Sequence, residues 1–255
     1  MQPSFIRLGW RSLWRDLRAG ELRLLIAAVA LAVAALAAVA FFADRLQSGL
    51  QRDARQLLGG DAVIASDNPA PGVFAEYARA LGLRSATSAT FPTMARAPDE
   101  QGGAARLVAL KTVEAGYPLR GRVEVAESLE ATAGTPADGI PAPGTAWADA
   151  ALLAALELRV GDSVLLGDSR LRVTRVIVLE PDRGAGFMSF APRLMMNAAD
   201  LAATGLVQPA SRIRWRLAVA GDSDDQVRAF VDWAEQQIGP RGPRGAPRDA
   251  AAQGG

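Results

Sequence analysis

Few residues in this chain are equipped for chemistry. Lys111 is its one lysine, Tyr77 and Tyr117 are its two tyrosines, and cysteine and histidine are absent. Thiolate nucleophiles, disulfides, Cys/His zinc sites, histidine bases and histidine-containing triads are therefore excluded. A serine nucleophile at Ser128, Ser163 or Ser189 would have to borrow its base from Lys111, and no spacing places that lysine beside a serine. The stretch "DRGAGF", Asp182 to Phe187, has two glycines one residue apart, as phosphate loops do. It lacks both the lysine and the helix start of a P-loop, so it reads as a glycine-permitted turn. Asp162 and Asp168 each follow a glycine and read as turn formers. The acidic "DSDD", Asp222 to Asp225, has neither the ligand spacing nor the closing glutamate of a calcium loop and reads as a helix cap. Met188, Phe190, Met195 and Met196 fit strand-core packing better than a greasy binding surface. No catalytic, cofactor-binding or metal-binding residue is assigned.

Charge narrows the partners. Lysine and arginine total 28 against 27 acidic residues, a net charge of +1, so no basic field calls for nucleic acid. Five arginines (Arg7, Arg11, Arg15, Arg18 and Arg23) precede the apolar run "LLIAAVALAVAALAAVAFFA", Leu24 to Ala43, against Asp16 and Glu21. At about 1.5 Å of rise per residue, roughly 20 apolar residues match a hydrocarbon core of about 30 Å. A soluble core helix would carry polar residues on one face, and this run has none. A cleaved export signal is the competing reading, since "AVA" at Ala38–Ala40 resembles a cleavage site. The run is longer than a signal core of about 7–15 residues, which favours a retained anchor. The arginine bias puts the amino terminus in the cytoplasm. Before the span, Ile6, Trp10, Leu13, Trp14 and Leu17 make an apolar stripe beside the basic one, suited to a helix lying on anionic lipid.

Beyond the span, "DRLQSGLQRDARQLL" keeps helical character to Leu58, where Gly59-Gly60 gives a stop. "DAVIAS" reads as a strand, Pro71 to Gly82 as a helix, and Ser85–Arg96 and Ala105–Val113 as strands about the turn "PDEQGG". Thr132 to Gly144 reads as a surface loop and Asp149 to Leu156 as a short helix. A hairpin follows around Gly167-Asp168-Ser169, then a strand "RLMMN" and a helix from Ala198 to Thr204. "SRIRWRLAVAG" alternates as a strand, and Ser223 with Gln226 opens a last helix with Val227, Phe230, Val231, Ala234 and Ile238 on its buried stripe. The expected organisation is a cytoplasmic amphipathic segment over 1–21, a transmembrane helix over 22–43, a helical stalk over 44–60, a periplasmic α+β domain over 61–238 and a disordered tail over 239–255.

The chain resembles the permease subunits of ABC transporters of the FtsX, LolC and MacB type, within a YbbP-like group. The residues that carry this are "WRDLRAGELRLLIAAVALAVAALAAVAFFADRL", "LLGGDAVIAS", the hairpin "LRVGDSVLLGDSRLRVTRVI" and, most specifically, "EPDRGAGFMSFAPRLMMNAADLAATGLVQPASRIRWRLAVAG". It extends from Ser4 to Ile238. The resemblance implies a MacB-like periplasmic core domain on an inner-membrane anchor and a mechanotransmission role. ATP would be bound and hydrolysed by a separate cytoplasmic ATPase subunit, so the chain itself is not expected to be an enzyme or to hold a cofactor. Membrane lipid, a periplasmic protein or lipid client, and a second permease in a homo- or heterodimer complete the implied partners. Members of that family carry four or more spans and this sequence shows one, so the expectation is a piece of a permease that does not transport alone. The alternative is a single-span anchored periplasmic binding or interaction domain without transport activity.

Overall fold

The computed structural model describes residues 21–131, 133–184, 190–208 and 211–238. The amphipathic segment expected before residue 21, the tail after 238, and Met188 and Ser189 lie outside the described residues. The chain divides into two compact units, Met1–Asp53 and Ala54–Gly255.

Helix α1 runs over Glu21–Leu58. Among the described residues it alone is long and apolar enough to cross a membrane, over Arg23–Gln47. Leu24, Leu31, Leu36, Phe41 and Phe42 are exposed on it, so the apolar side chains point outward on every face, as a lipid-facing helix requires. The glycine stop forms as the sequence indicates. Gly59 takes φ +69°, its N–H donates to Gln56 O at 3.1 Å, and Gly60 N donates to Arg55 O at 3.3 Å. These are the two crossed bonds of a Schellman ending, in which the left-handed residue must be one without a Cβ.

The second unit is a mixed α/β structure around one ten-stranded sheet. Its strands are β1 (Ala62–Ser66), β2 (Arg84–Arg96), β3 (Ala105–Val113), β4 (Glu124–Ala126), β5 (Thr135–Pro136), β6 (Thr145–Asp149), β7 (Ser163–Leu166), β8 (Ser169–Leu179), β9 (Arg193–Asn197) and β10 (Arg214–Ala220). Its helices are α2 (Gly72–Ala80), α3 (Ala150–Leu156) and α4 (Asp224–Ile238). Strands β2, β3, β9, β6, β8 and β7 pair in turn, and β7 pairs back onto β2 through Ala95↔Leu166 and Arg96↔Leu165, closing a barrel. The β3–β9 and β6–β8 pairs are parallel. Closure leaves these strands without a free edge and gives each an inside and an outside face.

Alternation along the strands fills both faces. Phe91, Val108, Leu110, Val164, Leu166, Leu171, Val173, Leu194 and Met196 point into one core, into which α3 sends Leu152, Leu153 and Leu156. Asp149 caps α3 by accepting from Leu152 N at 2.9 Å. Val113, Tyr117, Leu119, Val123, Val125, Trp147, Ile177 and Met195 form a second core outside the barrel. A third packs α2 and α4 on β1 and β10 through Phe74, Phe230, Leu217 and Val219, with Tyr77 stacked on Trp233 at 4.1 Å. Ser223 accepts from Asp225 N at 3.2 Å at the start of α4.

Three expectations are corrected. Ala198 to Thr204 is not one helix but two 3₁₀ turns, Ala198–Asp200 and Ala202–Thr204. Here Asn197 caps the first turn, and Thr204 Oγ1 donates to Leu201 O, so the segment closes on itself locally. Strands β4 and β6 had no counterpart in the sequence reading, and the loop before Gly144 contains β5. The turn between β7 and β8 is tight. Gly167 has φ +55°, and a Cβ there would lie 2.0 Å from Thr204 O, so the turn and the second 3₁₀ turn touch backbone to backbone.

Candidate functional site

Lys111 is the first surprise of the outer core. Val108, Leu110 and Thr112 alternate with Ala109, Lys111 and Val113 on β3, and Leu110 points into the barrel. Lys111 therefore faces the second core, opposite Met195, and Arg193 faces the same way opposite Ala109. Both cations are 2 % exposed, and each needs a counter-ion.

The counter-ions come from the exit of β8. Glu180 follows the strand directly, and Asp182 sits in the turn beyond it. Lys111 Nζ donates to Glu180 Oε1 at 2.8 Å, to Asp182 Oδ1 at 2.6 Å and to Tyr117 Oη at 2.8 Å. Tyr117 Oη donates in turn to the same Asp182 oxygen. Arg193 Nε donates to Glu180 Oε2 at 2.7 Å, and Arg193 N donates to Asp149 Oδ2 at 2.8 Å. Arg183 Nη2 reaches that Asp149 oxygen at 3.1 Å. Lys111, Arg193, Glu180 and Asp182 thus form a buried, charge-balanced quartet in which each ion bonds to another.

The electrostatics follow from this packing. Burial pushes Asp182 up, but the Lys111 ammonium, with the Lys111 and Tyr117 bonds, outweighs it and holds the carboxyl below its ordinary value. Burial, reinforced by the charges of Asp182 and Glu180, pushes the Tyr117 hydroxyl well above its ordinary value.

The network reaches the last turn of α1, Ala54–Leu58, which belongs to this second unit. Arg216 on β10 donates from Nη2 to Leu58 O at 3.0 Å, while its Nη1 lies 3.8 Å from Asp182 Oδ2. Gly59 O accepts from both Leu119 N at 3.1 Å and Arg120 N at 3.2 Å. Arg120 grips Asp61 with two bonds of 2.9 and 2.7 Å and also donates to Gly221 O. Burial raises Asp61, but the Arg120 bond and the Gly221 N–H outweigh it, and its carboxyl stays below its ordinary value. Arg55 in the helix's last turn pairs with Asp224 at 2.9 Å.

This arrangement joins β3, β8, β9 and the loop after β3. The three Nζ bonds of Lys111 go to Tyr117, Glu180 and Asp182, none of them a serine, so the cation is wholly committed. Asp182 proves to be more than a turn former. Asp162 does form its turn, accepting from Arg159 N at 2.7 Å, and Asp168 N donates to Thr204 O. Met195 and Met196 are fully buried, whereas Phe190 is 86 % exposed. Sequence reasoning considered Lys111 only as a base and passed over Glu180 and Arg193. The available signal was a lone lysine inside the apolar run "RLVALKTV" of a chain that otherwise uses arginine.

No protein-family model matches the chain. Over 230 residues, 90 % of its length, it is 33 % identical to the "Uncharacterized ABC transporter permease YbbP" of Escherichia coli (strain K12). The chain is similar in sequence to an ABC transporter permease. It spans 27 % of the length of that relative. The chain is also similar to the extracellular domain of the noncanonic ABC-type transporter YknZ from Gram-positive bacteria, at 12 % identity and TM-score 0.42 over 66 % of this chain and 88 % of that one. The periplasmic region of MacB from Actinobacillus actinomycetemcomitans gives 12 % identity and TM-score 0.40 over 71 % and 86 %.

Proposed function

We propose that this chain supplies a membrane helix and an extracytoplasmic domain to the permease subunit of an ABC transporter. The observation that carries the reading is the 33 % identity to a permease across 90 % of the chain. In this reading α1 crosses the inner membrane over Arg23–Gln47, and the arginines before it stay in the cytoplasm. A separate cytoplasmic ATPase subunit binds and hydrolyses ATP, and a second permease chain, identical or related, completes the membrane unit. The outer domain acts on a lipid, lipoprotein or protein client, and the helix end passes motion to it.

Two experiments test this. Alkaline phosphatase fused after Thr145 is expected to be active, and the same fusion at Arg18 inactive; activity at Arg18 refutes the orientation. Tagged protein purified from its own cells in mild detergent is expected to bring down a nucleotide-binding ATPase. A single membrane-length helix among the described residues also suits an anchored interaction domain. Recovery of folded protein with no ATPase favours that second reading.

A further inference from the structure

The end of a helix is ordinarily its loosest part. Its last carbonyls have no intrahelical donor, they take water, and the final turn frays. The end of α1 departs from this at four backbone oxygens, those of Arg55, Gln56, Leu58 and Gly59. The Schellman bonds satisfy Arg55 O and Gln56 O, Arg216 takes Leu58 O, and Leu119 and Arg120 take Gly59 O. Asp61 N then donates to Val219 O at 2.8 Å, and the Asp61 carboxylate accepts from Arg120 and from Gly221 N. The distant donors come from the loop after β3, from β10 and from Gly221 just past its end, and converge on Leu58, Gly59 and Asp61.

We propose that Arg216 and Arg120 form a latch holding the last turn of α1 to the barrel, so that displacement of this turn enters β3 and β8 instead of being absorbed as fraying. Arg216 is the central part. Its planar fork points one nitrogen at the negative end of the helix dipole and the other at Asp182, whose opposite oxygen is bound to Lys111 on β3. Three charged groups in series therefore separate the helix carbonyl from a central barrel strand. Arg120 works beside it as a second tie, bidentate to an Asp61 whose side chain is 2 % exposed. Neither arginine touches a ligand; both are positioning residues. The use of the latch rests on the permease reading above, but its existence does not.

Hydrogen exchange read by mass spectrometry on the whole chain in lipid nanodiscs tests it. In Arg216→Gln, and more so with Arg120→Gln added, protection of 54–61 and 119–121 is expected to fall about tenfold to hundredfold. Protection of the interior of β2 and β3 is expected to stay within about threefold. Unchanged protection at the junction overturns the proposal. So does an equal loss across β2, β3 and β9, which would make the arginines general stabilisers. Should the double variant not fold, Arg216→Lys decides. An ammonium cannot fork between Leu58 O and Asp182, so partial loss confined to the junction supports the latch and wild-type protection overturns it. The measurement needs no ATPase, so failure to recover one sinks the permease reading and leaves the latch standing.

Discussion

Lys111→Met is the sharpest test of the buried quartet. The substitution keeps most of the side-chain volume and removes the ammonium, so the loss is electrostatic rather than a cavity. Glu180 and Asp182, with side chains 0 % and 4 % exposed, then retain Arg193 at 2.7 Å and Arg216 at 3.8 Å as their cations. Removing one partner of a buried ion pair costs about 3–5 kcal/mol, because the remaining charge stays out of water. At about 2–4 °C per kcal/mol for a unit of this size, Tm falls by about 6–20 °C. Near-UV circular dichroism of the detergent-solubilised chain reports this, since Trp147 lies buried in the adjoining core. The penalty also has a sign in pH. In the parent, Asp182 titrates below its ordinary value, so its contribution is present above the unfolded carboxyl's pKa and is lost as pH falls through the lower folded value. In Lys111→Met the burial of Asp182 is opposed only by the Tyr117 bond and the Arg216 charge, so the folded carboxyl titrates higher than in the parent and protonation relieves part of the strain. The gap between parent and variant is therefore wider at pH 7 than near pH 4, and Asp182→Asn added to Lys111→Met costs less than the sum of the two. A loss below about 1 kcal/mol, or a gap indifferent to pH, would refute the reasoning.

Tyr117→Phe deletes the hydroxyl that accepts from Lys111 and donates to Asp182, and is expected to cost about 1–3 kcal/mol in urea titrations. Because Tyr117 holds its proton above its ordinary value, the unfolded chain ionises first. The parent should lose stability as pH rises past about 10, and the Phe variant should lack that component. Gly167→Ala is expected to destabilise by about 2–3 kcal/mol, since its Cβ would strike Thr204 O, whereas Gly72→Ala, with open space around it, should stay within about 0.5 kcal/mol in the same melts.

Much of the scaffold was legible because it is locally encoded. The glycine pair after Leu58, the alternation of "SRIRWRLAVAG", the Gly167-Asp168 hairpin and the Ser223 cap each depend on neighbours within a few residues, and each formed. Strand β6 was not legible. "TAWAD" is too short for a period to show, and it is a strand because β8 and β9 flank it. Barrel closure rests on two residue pairs between β2 and β7, which no local pattern announces. The quartet was hidden for the same reason. Lys111 finds its carboxylates 69 and 71 residues away, and turn chemistry was a sufficient account of Asp182 taken alone.

The bond from Arg216 to Leu58 O spans 158 positions of chain. During synthesis the ribosome must therefore make nearly all the strands of the second unit before that carbonyl meets its guanidinium, and β1 waits equally long for β10. Until then the nascent helix ends in water. The joint waits for a strand whose arrival means that every other strand has already been made.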